Sequence, residues 1–137
     1  MPEEVSFHFA LTRTELAYYS DPATRALYQF HDRVVSYLDT DISRMVVDLN
    51  RPPYHLPPRH PDGVIKLRTV HGTPVYRDGS LPDIRVIHRL LMYHYFPYHA
   101  TIDLMLDPEL IAFAMDCHSM LPRGPPAHRD AGKERPL

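Results

Sequence analysis

The sequence lacks several things that would have named a function at once. It has one cysteine, Cys117, so no internal disulfide can staple it. It has no Gly-rich phosphate loop, no nucleophile elbow and no paired-cysteine zinc motif, which excludes the commonest nucleotide-binding, serine-hydrolase and zinc-finger readings. No apolar run approaches the roughly 20 residues that cross a bilayer, and the longest are broken by His, Asp or Pro. No excess of one charge is present either. The formal net charge is −2 and Lys and Arg are scattered, so nucleic acid is not an expected partner. The first residues show no basic head followed by an apolar stretch, which leads to the expectation of a cytoplasmic chain with no membrane partner. There is no internal repeat.

What is abundant is proline, 15 residues, and histidine, 10 residues, with prolines clustered at Pro52–Pro61 and Pro122–Pro136. Such clusters predict extended or ordered loops. So many histidines mean that a single one carries little information. A length of 137 residues with 44% hydrophobic residues predicts one domain over 1–137, with a loop or frayed tail from about 122.

A short helix is expected near Thr12–Tyr18. Asp21-Pro22 reads as an N-cap followed by proline at the first helical position. Leu27, Phe30, Val34 and Leu38 recur at helical spacing, predicting an amphipathic helix of about 17 residues. Arg44–Leu49 is a short apolar, β-branched run stopped by Pro52-Pro53, and reads as a buried strand. Val64–Val70 and Pro74–Tyr76 read as two short strands around His71-Gly72-Thr73, a hairpin or flap. Leu81-Pro82-Asp83 opens a helix with an apolar stripe of Ile84, Ile87, Leu90 and Leu91, kinked or ended by Pro97 near Phe96, and a further helix follows over about Tyr98–Leu106. Leu110–Met115 reads as a second buried strand ending in Asp116-Cys117-His118-Ser119. The sum is an α/β fold, in which ligands collect beyond the carboxyl ends of the strands.

Asp116 and His118, two apart on a strand, share a face. They suit a metal site, with the carboxylate as ligand or as orienter of the imidazole, and they equally suit a hydrogen-bonded pair with no metal. Asn50 and Arg51 offer an amide and a rigid guanidinium fork that fit a substrate carboxylate, or an Arg paired with a nearby acid. Arg89 is a further carboxylate binder or a snorkelling side chain. His99 and Asp103 share a helical face, where structural pairs are the more common. Cys117, between two outward residues, is expected to point inward and to be a weak nucleophile.

Taken in order, Asp21-Pro22-Ala23-Thr24, Val47-Asp48-Leu49-Asn50-Arg51, Pro74-Val75-Tyr76-Arg77-Asp78-Gly79, Arg89, Pro97-Tyr98-His99 and Asp116-Cys117-His118-Ser119-Met120 resemble the landmarks of the N-formylglutamate amidohydrolases. The resemblance implies an α/β fold of the phosphorylase/hydrolase-like kind found in zinc carboxypeptidases, with a mixed or mostly parallel sheet and flanking helices. It implies hydrolysis of the amide of N-formylglutamate or a similar N-acyl amino acid by metal-activated water. Asn50, Arg51 and Arg89 would bind the small-molecule carboxylate substrate, and His118 with Asp116 would hold zinc. The family's Pro-His-Ser-Gly or Pro-His-Gly-Gly element does not occur, nor does a His-x-x-Glu pair. Relatives also continue past the element matched at Asp116–Met120. The resemblance therefore implies an incomplete chain, with a truncated, non-catalytic carboxylate binder as the alternative.

Overall fold

The computed structural model describes residues 5, 8–79, 81–120, 122–126 and 129–135. Helix α1 spans Arg13–Tyr18, close to expectation, and is started by a capping box in which Thr12 and Glu15 satisfy each other's backbone N–H groups. Helix α2 is a single turn, Thr24–Leu27. Helix α3, Ile84–Leu90, is capped by the Asp83 side chain, passes through a π-helical turn at Leu91–Tyr95, and continues as α4, Phe96–Met105.

The expected α/β sheet is not there. Among the described residues the extended segments meet only through isolated bridges such as Phe9 with Tyr76, Asp62 with Lys66 and Arg68 with Pro74. The physical reason lies in the short apolar runs. Arg44–Leu49 coils into a turn, with the Val46 and Val47 N–H groups both donating to the Ser43 carbonyl, so its backbone is used locally instead of in a ladder. Its side chains are nevertheless buried, Val46 and Val47 almost completely. An apolar run predicts burial; it does not by itself predict strand pairing.

The long helix expected after Asp21 is also replaced. Asp21 and Ala23 both take positive φ, 49° and 63°, so Asp21 is not the N-cap, and the helix stops after Leu27. Arg25 then binds Asp39 and Asp41, folding the chain back as a loop. Leu27 and Val34 stay exposed. Without a packed face, a helix here has little to hold it.

Of the expected hairpin of two short strands, the described residues keep only a tight reversal with an isolated bridge between Arg68 and Pro74. Thr69 N–H donates to Thr73 O and Val75 N–H to Leu67 O around Gly72, whose φ of 84° suits glycine. Ile87, Leu90 and Leu91 of the expected stripe are buried, while Ile84 at the helix start is exposed. Proline 97 does not end the helix. The preceding turn takes a wider spacing, with Phe96 N–H donating to Leu91 O, and the coil resumes around the ring. Leu110–Met115 is the clearest reversal of expectation: it is neither strand nor buried, and Leu110, Phe113 and Met115 face solvent. The described residues of the tail form a loop, with Arg123 paired to Glu134 and Arg135 to Asp130.

The core gathers Phe9, Leu11 and Leu16 with Met45–Val47, Val64, Ile65, Val75, Tyr76 and the buried face of α3. No described helix is long and apolar enough to cross a membrane.

Candidate functional site

Two lone charges sit inside two apolar runs: Asp48 within Val46-Val47-Asp48-Leu49 and Lys66 within Val64-Ile65-Lys66-Leu67. The backbone joins the runs through Asp48 N–H to Val64 O, 2.8 Å. Asp48 is 2% exposed and the Lys66 side chain 5%, and they meet at 2.9 Å. Burying either charge alone would be costly, and the geometry leaves neither alone. Asp48 Oδ2 also accepts from Arg44 Nη2 at 3.1 Å, and its Oδ1 accepts the Asn50 N–H at 3.1 Å. Lys66 Nζ donates to Asp62 Oδ1 and to the Gly63 carbonyl, and its charge is matched by the Asp48 carboxylate in an ion pair.

The line of charges extends in both directions. On one side Asp62 Oδ2 receives Arg51 Nη2 at 2.7 Å, while Arg51 Nε donates to the Asp62 carbonyl and Nη1 to the Asn50 carbonyl. On the other side Arg44 lies 3.7 Å from Asp21, whose carboxylate is 3.3 Å from His118 Nδ1, and His118 Nε2 is 2.9 Å from Asp116. Negative and positive groups thus alternate from Asp116 through His118, Asp21, Arg44, Asp48, Lys66 and Asp62 to Arg51. The arrangement links His118 to Arg51 through ion pairs.

The protonation behaviour follows from these contacts. The hydrogen bond to Asp116 raises the His118 pKa, burial opposes it, and Asp21 adds to the rise. Burial alone would push the Asp62 carboxyl up, but the hydrogen bonds from Lys66 and Arg51 outweigh it and hold the group below its usual range. The Arg51 guanidinium is correspondingly held charged by Asp62.

The expected site residues divide into those the line includes and those it does not. Asp116, His118 and Arg51 belong to it. Asn50 contributes its backbone, through its N–H and carbonyl, and its side chain is exposed. Arg89 is exposed on α3 and makes no ion pair or hydrogen bond with the described residues. His99 pairs with a backbone atom and not with Asp103: its Nε2 donates to the Leu49 carbonyl at 3.0 Å, and its ring lies on Tyr95. This bond ties α4 to the chain just before Asn50 and Arg51. Cys117 is half-buried. With no strand among the described residues, the alternation that would turn it inward does not apply.

Sequence reasoning missed Asp21 as a charge partner, and also Arg44, Asp62 and Lys66. A signal existed for Lys66 and Asp48, because one acid and one base, each alone in an apolar run, ask to be paired.

Zinc calls for about three protein ligands. Asp116 and His118 approach each other as ligands of one ion would, but the second imidazole nitrogen faces Asp21, and among the described residues no three His, Cys, Asp or Glu side chains converge. The geometry is that of an imidazole hydrogen-bonded between two acids. It does not fit a zinc centre, and the expected assignment of Asp116 and His118 as ligands gains no support from it.

No curated protein and no solved structure matches the chain. The family model described as N-formylglutamate amidohydrolase matches residues 1–137, and the chain accordingly belongs to that family.

Proposed function

We propose that the chain acts on the amide bond of N-formylglutamate or a closely similar N-acyl amino acid, with Arg51 holding the substrate carboxylate and His118 holding a proton for the leaving nitrogen. The observation that carries this reading is the unbroken alternation of charge between those two residues, on a chain of amidohydrolase family. A guanidinium fork suits a carboxylate, and the exposed Asn50 amide beside it adds a donor. In hydrolysis the water oxygen bonds to the acyl carbon, the C–N bond breaks, and the nitrogen takes a proton. Formate and the amino acid leave. An imidazole with a raised pKa, steadied by carboxylates at both nitrogens, is suited to carry that proton near neutral pH.

A second reading, a carboxylate binder without turnover, is favoured by one specific feature: the Arg51 fork and both His118 nitrogens are already satisfied by carboxylates or carbonyls of the same chain. Formate release from N-formyl-L-glutamate decides between them. The hydrolase reading expects release by the wild type and a KM raised roughly tenfold or more in Arg51→Ala, the size of a lost hydrogen bond to a charged group. Ligand binding with no formate released would leave the second reading standing and remove the first.

A further inference from the structure

Arg51 does not wait open for a ligand. Its Nη2 and the ammonium of Lys66 already share one carboxylate, with Asp62 Oδ2 at 2.7 Å from the guanidinium and Oδ1 on the ammonium. The three partners differ sharply in access to water. The Lys66 side chain is 5% exposed and fixed against buried Asp48, whereas the Asp62 side chain is 63% exposed. Of the groups in this part of the line, Asp62 is therefore the one that solvent can most readily replace.

Its departure would strand nothing. Lys66 keeps Asp48 and the Gly63 carbonyl. Arg51 keeps the Asn50 carbonyl through Nη1 and the Asp62 main-chain carbonyl through Nε, so the fork stays aimed at the place the side chain has left. The Asp62 backbone is itself held by its bridge to Lys66, and a change of side-chain rotamer suffices. What remains is a water-facing position flanked by a planar guanidinium and an ammonium, which fits a carboxylate.

We propose that Asp62 is an internal stand-in for the ligand carboxylate, seated between Arg51 and Lys66, and that a ligand binds by taking its place. Lys66 then becomes a second carboxylate-binding residue beside Arg51. Asp62 sets affinity by competition. The fact that the two cations keep the Asp62 carboxyl below its usual range accords with a position that selects an anion. This inference rests on the carboxylate-binding reading given above.

Titration of N-formyl-L-glutamate into the full chain by calorimetry tests it, with Asp62→Asn and Asp62→Glu beside the wild type. Asp62→Asn is expected to bind about fivefold more tightly, the fold-change matching the ~1 kcal/mol upper value of an exposed ion pair. Asp62→Glu retains a competitor and is expected to stay near wild type. A merely structural role for Asp62 predicts the opposite sign for the first variant. The dimethyl ester of the ligand, which carries no carboxylate, is expected to gain nothing. If the wild type binds and Asp62→Asn binds equally or more weakly, the stand-in is overturned while carboxylate binding survives. If neither binds, both readings fall. Thermal melts confirm that the variants are folded, and Asp62→Ser serves in place of Asp62→Asn if that protein does not fold, with the same tightening expected and the same result overturning the idea.

Discussion

Two apolar runs, each ending in polar residues, meet opposite fates in this chain. Arg44–Leu49 is wrapped by Val64, Ile65, Val75 and the buried side of α3, and its single acid is matched by Lys66 and Arg44. Leu110–Met115 lies open, with Phe113 77% exposed, although its closing Asp116 and His118 contact each other as the enclosed run's charges contact theirs. The first region is held by enclosure, with charge matched inside it. The second is held to the rest by surface contacts of polar groups, His118 to Asp21 and the Tyr28 hydroxyl to the His118 carbonyl. Hydrophobic character therefore fixes what a segment can bury, and the neighbouring segments fix whether it does.

The largest effect that would break this comparison lies at the enclosed end. Lys66→Met leaves buried Asp48 with Arg44 as its remaining ion-pair partner beside the Asn50 N–H, and a stability loss of about 3 kcal/mol is expected in urea unfolding. A loss under about 1 kcal/mol would show that the buried pair is not the hub of that region.

A smaller effect is expected at His118. Its folded pKa is raised, so its stabilising contribution is complete below the ordinary value of about 6.5 and is lost as pH rises through the raised value. The difference in stability between wild type and His118→Gln should therefore shrink as pH rises above the ordinary imidazole range, within about 1 kcal/mol because the contact is exposed to solvent. A gap that stays constant or widens over that rise contradicts the assigned contacts.

The smallest effect belongs to the open run. Phe113→Ser should shift stability by no more than about 0.5 kcal/mol, as surface changes usually do. A midpoint shift equivalent to more than about 1 kcal/mol would mean that this run is covered in solution and that the two regions are more alike than they look.

Only parts of the charged line and of the fold were readable in the residues. The helix start at Asp83 and the buried face of Ile87, Leu90 and Leu91 follow from local spacing, which acts over a few residues, whereas Asp116 and His118 meet in a loop and not on the strand that was expected to give them one face. The strands did not follow. Arg44–Leu49 has the composition of a strand, but ladder formation depends on a paired neighbour, and this run spends the Val46 and Val47 N–H groups on the Ser43 carbonyl in a local turn. The partners of the charged groups were hidden for a similar reason. His118 meets Asp21 across 97 positions and Arg51 meets Asp62 across 11, distances over which sequence spacing carries no geometric rule. Only the isolation of Lys66 among apolar residues hinted at a buried acid nearby.

The widened turn ahead of Pro97 has an effect beyond tolerating that proline. Taking in one surplus residue shifts the phase of the rod by roughly 100°, so its two halves serve different neighbours. The earlier half packs hydrocarbon on the core, and the later half extends an imidazole to the peptide group just ahead of Asn50. The rod thereby braces the peptide group of Leu49, two residues before the guanidinium, with which none of its described residues forms a hydrogen bond or ion pair.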